Sequence, residues 1–99
     1  MKARKPNKDE ERWLRLIRQL GCIACIVAGR IAPWTVPEDY TAIHHIDGTQ
    51  KPGAHKKTLP LCPGCHQKNS DARHVNKRKF EETYGTEVEL LEKVESFVL

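Results

Sequence analysis

Two sets of side chains in this chain can do metal chemistry. Cys22-Ile-Ala-Cys25 and Cys62-Pro-Gly-Cys65 form a pair of Cys-x-x-Cys turns, and His44-His45 and His66 stand around the second of them. A Cys-x-x-Cys turn aims both sulfurs to one side, and two such turns close a tetrahedron with Zn–S bonds of about 2.3 Å. One pair alone is a weak signal; two in a short chain are a strong one. Cys22, Cys25, Cys62 and Cys65 are therefore expected to hold a structural Zn2+ rather than to form disulfides. Neither pair sits in the βαβ surroundings of a redox dithiol. Imidazoles, in contrast, suit a cation that keeps open positions for substrate and water.

The histidines divide by geometry. Thr41-Ala-Ile-His44-His45-Ile46 reads as a strand, so the adjacent rings point to opposite faces. In simple strand geometry they cannot both ligate one ion, and one ligand beside one base is the sensible division. His66 follows Cys65 directly, so the thiolate faces one site and the imidazole the next. His74 reaches the same ion if the helix carrying His66 ends or bends at Ser70-Asp71.

These residues need elements to hold them. Asn7 with Glu10 forms a capping box, Trp13, Leu14, Ile17 and Leu20 share one helical face, and Gly21 stops the helix. The opposite face, with Arg12, Arg15 and Arg18, reads as a solvated surface. Trp34 and Tyr40 are expected to cover the core. Asp47 to Gly53 has strong turn chemistry, and Thr58-Leu59-Pro60-Leu61 reads as a second strand at an edge, because of Pro60. A helix is expected from Cys65 to about Asn69 or beyond, another from Asn76 to Gly85, and a last one opened by the capping box Thr86 to Glu89. That last helix has Leu90, Leu91, Val94, Phe97 and Val98 as its apolar face. The zinc is expected to tie the first helix to the hairpin.

Composition bounds the rest. Ninety-nine residues make one domain, read as a flexible basic arm over 1–8 and a single zinc-containing domain over 9–99. A chain of this size buries only about 60–65% of its unfolded surface, so a metal staple is useful. Mean hydropathy is -0.63, and no apolar run approaches the roughly 20 residues of a membrane span. The start Met1-Lys-Ala-Arg-Lys-Pro6 has no apolar region after it and does not read as a signal peptide, so a cytoplasmic location is expected. Net charge is +4. That excess is compatible with a polyanionic partner.

A strand ending His-His-Ile, a loop, a short strand ending Leu-Cys and a helix opening Cys-His resemble the ββα-metal motif of HNH endonucleases. More closely, the chain is similar to phage-type Ref proteins, the recombination-enhancement nucleases. Cys22 to Cys25, His44-His45, His55 to His66, His74 and Phe80 to Glu87 carry that similarity, over about residues 20–91. It implies an α+β fold: a small zinc-stabilised domain with a ββα-metal (HNH) core and flanking helices. It implies a DNA endonuclease of little sequence specificity in phage or prophage recombination, with DNA and a recombinase filament such as RecA as partners. It also implies that His44 and His66 are ligands of a catalytic Mg2+, Mn2+ or Zn2+, joined by His74, and that His45 is the general base. The sequence departs from the HNH pattern at one point. The asparagine expected near Lys57 or Thr58, which normally pins the loop holding the base, is absent, and His55 or Thr58 is expected to substitute. Lys56, Lys57, Lys77, Arg78 and Lys79 are expected to hold the DNA backbone without reading sequence. The rival reading is a non-catalytic zinc module that binds DNA or protein. Such a module has no need of a His-His pair beside a Cys-His.

Overall fold

The computed structural model describes residues 5–46 and 54–99. The turn expected at 47–53 and residues 1–4 of the basic arm lie outside those residues. The element order is α1 (Lys8–Leu20), α2 (Ile23–Val27), β1 (Ala42–His45), β2 (Thr58–Leu61), α3 (Lys77–Tyr84) and α4 (Glu87–Val98). Short single-turn segments at Glu38–Tyr40, Ala54–Lys56 and Gly64–Lys68 link them. The architecture is α+β, with one two-stranded antiparallel sheet among the described residues, carried on helices.

The ends of α1 follow from local chemistry. Glu10 N–H donates to Asn7 Oδ1 at 2.8 Å and Asn7 N–H to Glu10 Oε1 at 2.9 Å, which satisfies two otherwise orphaned donors. Gly21 ends the helix at φ +101°, a conformation a side chain resists, and so lets Cys22 start α2 at once. The face Trp13, Leu14, Ile17 and Leu20 is buried as its spacing predicts.

The core lies between this face, β2 and the two C-terminal helices. Ile17, Leu20, Ile23, Leu59, Leu61, Phe80 and Val94 are fully buried. Trp13 Nε1–H donates to Thr58 Oγ1 at 2.8 Å, and Thr58 Oγ1–H donates to the His55 carbonyl at 3.0 Å. A buried hydroxyl thus latches α1 to the entry of β2. The sheet register pairs His44 with Leu59 and His45 with Thr58.

One expectation needs correction, and the shape of one expected helix needs refinement. Trp34 and Tyr40 do not cover the core; each is 46% exposed. Trp34 has φ +67° and is held by its N–H to the Leu20 carbonyl at 3.0 Å. Trp13, Phe80 and Tyr84 already supply the large buried rings. The helix expected from Cys65 is a single wide turn, Gly64–Lys68, closed by Asn69 N–H to the Gly64 carbonyl at 2.9 Å. A longer helix would carry His74 away. Instead the chain reverses, with Arg73 N–H on the Cys65 carbonyl at 2.8 Å and His74 N–H on the His66 carbonyl at 3.0 Å. Among the described residues no helix is long and apolar enough to cross a membrane.

Candidate metal centres

The four cysteines meet where α2 begins and where β2 ends. All are buried and unbridged, and their sulfurs lie within 4.8 Å of one another. Cys25 Sγ is 3.7 Å from Cys65 Sγ and 3.9 Å from Cys62 Sγ. A tetrahedral ion with bonds of about 2.3 Å places its ligands roughly 3.8 Å apart, so the donor set fits zinc in chemistry and in size. Cys22 caps α2, accepting the Cys25 N–H at 3.4 Å, as a turn that points both sulfurs inward requires.

Arg30 favours thiolate at Cys25 and Cys65, although burial pushes the Cys25 thiol up. Arg30 Nη2 donates to Cys25 Sγ at 3.4 Å, to Cys65 Sγ at 3.5 Å and to Tyr84 Oη at 2.9 Å. The Tyr84 hydroxyl in turn donates to Asp71 Oδ2 at 3.4 Å. Hydrogen bonding from Cys22, then from Cys62 and Cys25, with a smaller contribution from the Arg30 charge, brings the Cys65 pKa down to about 5 against the opposing effect of burial. Cys22, the first of those donors, is pushed up by the same contact and by burial. Arg30 was not singled out from sequence. It lies in the irregular stretch after Gly29, and only the fold places it on the cage.

The second centre forms from three elements. His44 comes from β1, His66 from the wide turn and His74 from the reversal after it; their ligand nitrogens lie within 4.8 Å of one another. His66 Nε2 and His74 Nε2 are 2.9 Å apart. The ring centroids of His44 lie 5.4 Å from His66 and 5.1 Å from His74. Neighbouring ligands at about 2.1 Å from one cation are separated by roughly 3.0–3.4 Å, so this donor set fits a divalent metal. Burial pushes the His44 pKa down against its bond to Glu87. Burial, with His74, His44 and Arg73 adding to it, takes His66 to about 4. Both rings are therefore neutral at pH 7, the form that ligates.

His45 is not brought into this group. It faces the other side of the strand, where its Nε2 lies 3.0 Å from His55 Nδ1, one nitrogen donating to the other. Burial, then the charges of His55 and His44, push its pKa down. His55 is buried, and its carbonyl is the one held by Thr58.

The chain matches, over residues 6–98, the family model described as recombination enhancement, RecA-dependent nuclease. It belongs to that family. The match spans both candidate centres and all the helices, whereas the resemblance read from motifs covered about residues 20–91. Membership makes this a chain of a nuclease family whose description names RecA.

Other expected site residues lie at the surface. Lys77, Arg78 and Lys79 form the exposed first turn of α3, and Lys56 and Lys57 flank the entry of β2. Arg78 Nε is 3.3 Å from Glu82 Oε1 and Lys77 Nζ 3.8 Å from Glu81 Oε1. Exposed pairs of this kind are worth little. A groove of about 400 Å3 between α1 and the end of α4, lined in part by Trp13, Leu16 and Val98, contains none of the candidate metal-ligating side chains.

Glu87 was missed. Its carboxylate reaches His44 Nε2 at 2.7 Å with Oε2 and Arg73 Nη2 at 3.0 Å with Oε1. Burial alone would raise its pKa, but the His44 and Arg73 hydrogen bonds outweigh that and hold it below the usual carboxylate range.

Proposed function

We propose that this chain is a metal-dependent DNA endonuclease of the HNH, ββα-metal type, acting with a RecA filament in phage-borne recombination. The observation that carries this reading is the convergence of His44, His66 and His74 on one point, with His45 at the adjacent strand position facing away from them. A cage of four cysteines serves structure alone and needs no such cluster.

In this reading the two centres divide the work. Cys22, Cys25, Cys62 and Cys65 hold a Zn2+ that fixes the hairpin to the helices. His44, His66 and His74 hold a divalent cation, Mg2+, Mn2+ or Zn2+, whose bound charge would offset that developing on the phosphate and on the leaving 3′ oxygen. Neutral His45 accepts a proton from water, and its ring is held through Nε2 by His55. His55, with its own carbonyl pinned by Thr58, takes the part of the missing asparagine. For water to reach His45 and the phosphate together, the DNA backbone must pass across the strand end. Lys56 and Lys57 lie near that path, and Lys77, Arg78 and Lys79 extend it without base contacts. The products are a 5′ phosphate and a 3′ hydroxyl. Residues 9–99 act as one nuclease domain, and 1–8 as a basic arm.

The direct test is strand scission of plasmid and single-stranded DNA with Mg2+, Mn2+ or Zn2+, with and without RecA filaments. Breaks that vanish on chelation and return with the divalent ion are expected. A folded, zinc-loaded protein that binds DNA and cuts under none of these conditions favours the non-catalytic zinc module. Binding itself is expected to ignore sequence and to weaken steeply with salt. Four to six phosphate contacts, on the order of the basic residues named, give a slope of roughly -4 to -5 in log K against log salt. A nearly flat response in a filter-binding series would mean that this surface does not meet nucleic acid.

A further inference from the structure

Glu87 opens α4, yet it does not serve as an ordinary first-turn acid. The capping box is filled by its neighbours: Thr86 N–H donates to Glu89 Oε1 at 2.9 Å and Glu89 N–H to Thr86 Oγ1 at 3.2 Å. An exposed carboxylate in that turn would complement the helix dipole at no desolvation cost. Glu87 is instead buried, 8% exposed, against a His44 that is 3% exposed. A buried carboxylate must be paired, and this one is paired twice, to His44 and to Arg73. Arg73 bears a cost for the arrangement, since its Nε is buried with no hydrogen-bond partner among the described residues. Lys77 Nζ adds a second positive charge at 3.9 Å. Unsatisfied groups of this kind gather where function outweighs stability.

We infer that Glu87 is the positioning residue of the histidine cluster, fixing the tautomer and orientation of His44 so that its second ring nitrogen faces a divalent cation. An ionised carboxylate only accepts hydrogen bonds. His44 Nε2 must therefore carry the hydrogen, and the lone pair is left on Nδ1. A carboxylate in this position also raises the basicity of a ligating imidazole. Arg73 holds the far oxygen, so the carboxylate cannot swing away. Glu87 is not one of the three clustered groups and acts through His44.

The inference rests on reading the three histidines as ligands of one cation, and the test separates the two. Zn2+ is titrated calorimetrically into protein that already carries one zinc per chain, for the native chain, Glu87→Gln and Thr86→Ala. Glu87→Gln should weaken binding at the second site by about 10- to 100-fold, the usual effect of losing such a partner. It should leave the first zinc in place. Thr86→Ala weakens the start of α4 without touching His44, and should bind the second ion as the native chain does. Equal affinity in Glu87→Gln overturns the inference and leaves the histidine site standing. Equal loss in Thr86→Ala overturns it too, because the effect would then belong to the helix. A native chain that takes up no second ion overturns both readings. Should Glu87→Gln not fold, nitrogen NMR of the native chain decides: His44 is expected as the Nε2–H tautomer, and an Nδ1–H tautomer overturns the inference.

Discussion

Replacing Cys25 or Cys62 with serine is expected to strip the zinc from this protein and unfold most of it. The two cysteines lie 37 residues apart in sequence and 3.9 Å apart at sulfur. Their cage joins the start of α2 to the exit of β2, the two points at which the N-terminal helices could part from the hairpin. Structural zinc contributes on the order of 10 kcal/mol in small modules. A domain of this size has a net stability of only about 5–15 kcal/mol, so the loss of the ion consumes most or all of it. Serine keeps the volume but offers no thiolate at neutral pH, and in Cys25→Ser Arg30 would then face a hydroxyl in place of a sulfur. Elemental analysis should find at least one zinc per native chain and none in the variants. Far-UV circular dichroism should lose most of its helical signal on substitution, as it should on exhaustive chelation. A soluble native protein that is folded and holds no zinc would sink this account of its stability.

The same cage explains why so much was legible in advance. Cys-x-x-Cys pairs, capping boxes and apolar faces are local, and each can be read within a window of a few residues. α1 runs between Asn7 and Gly21 as its cap and stop require, and α4 opens at Thr86. Strand alternation alone places His44 and His45 on opposite faces. What escaped is tertiary. Glu87 looks in sequence like one more acid in a capped first turn; its partner lies 43 residues away. Arg30 looks like a loop cation. Trp34 and Tyr40 followed the general preference of large rings for the interior, but the core closes without them. His74 was readable only as a condition on the chain turning at Ser70-Asp71. The backbone meets that condition by hydrogen-bonding Arg73 and His74 back onto the turn that carries Cys65 and His66.

The two adjacent histidines are expected to fail in different ways when removed. His44 lies in the cluster with His66 and His74, while His45 pairs with His55 across the other face. His44→Ala or His66→Ala should therefore weaken the second metal site and abolish cleavage together, because the cation and its charge are lost at once. His45→Ala removes no ligand and leaves β1 paired through its backbone, so fold, zinc content, second-site affinity and DNA binding should all stay near native. The cleavage rate should still fall by roughly 10²–10⁴, the usual contribution of a positioned base. Imidazole added to the solution should recover part of that rate in His45→Ala, where the space vacated by the ring is open, and none in His44→Ala. Metal titration beside single-turnover cleavage distinguishes the two patterns. Normal cleavage by His45→Ala, or a loss of metal in place of a loss of rate, would remove the base from the strand and make both histidines ligands.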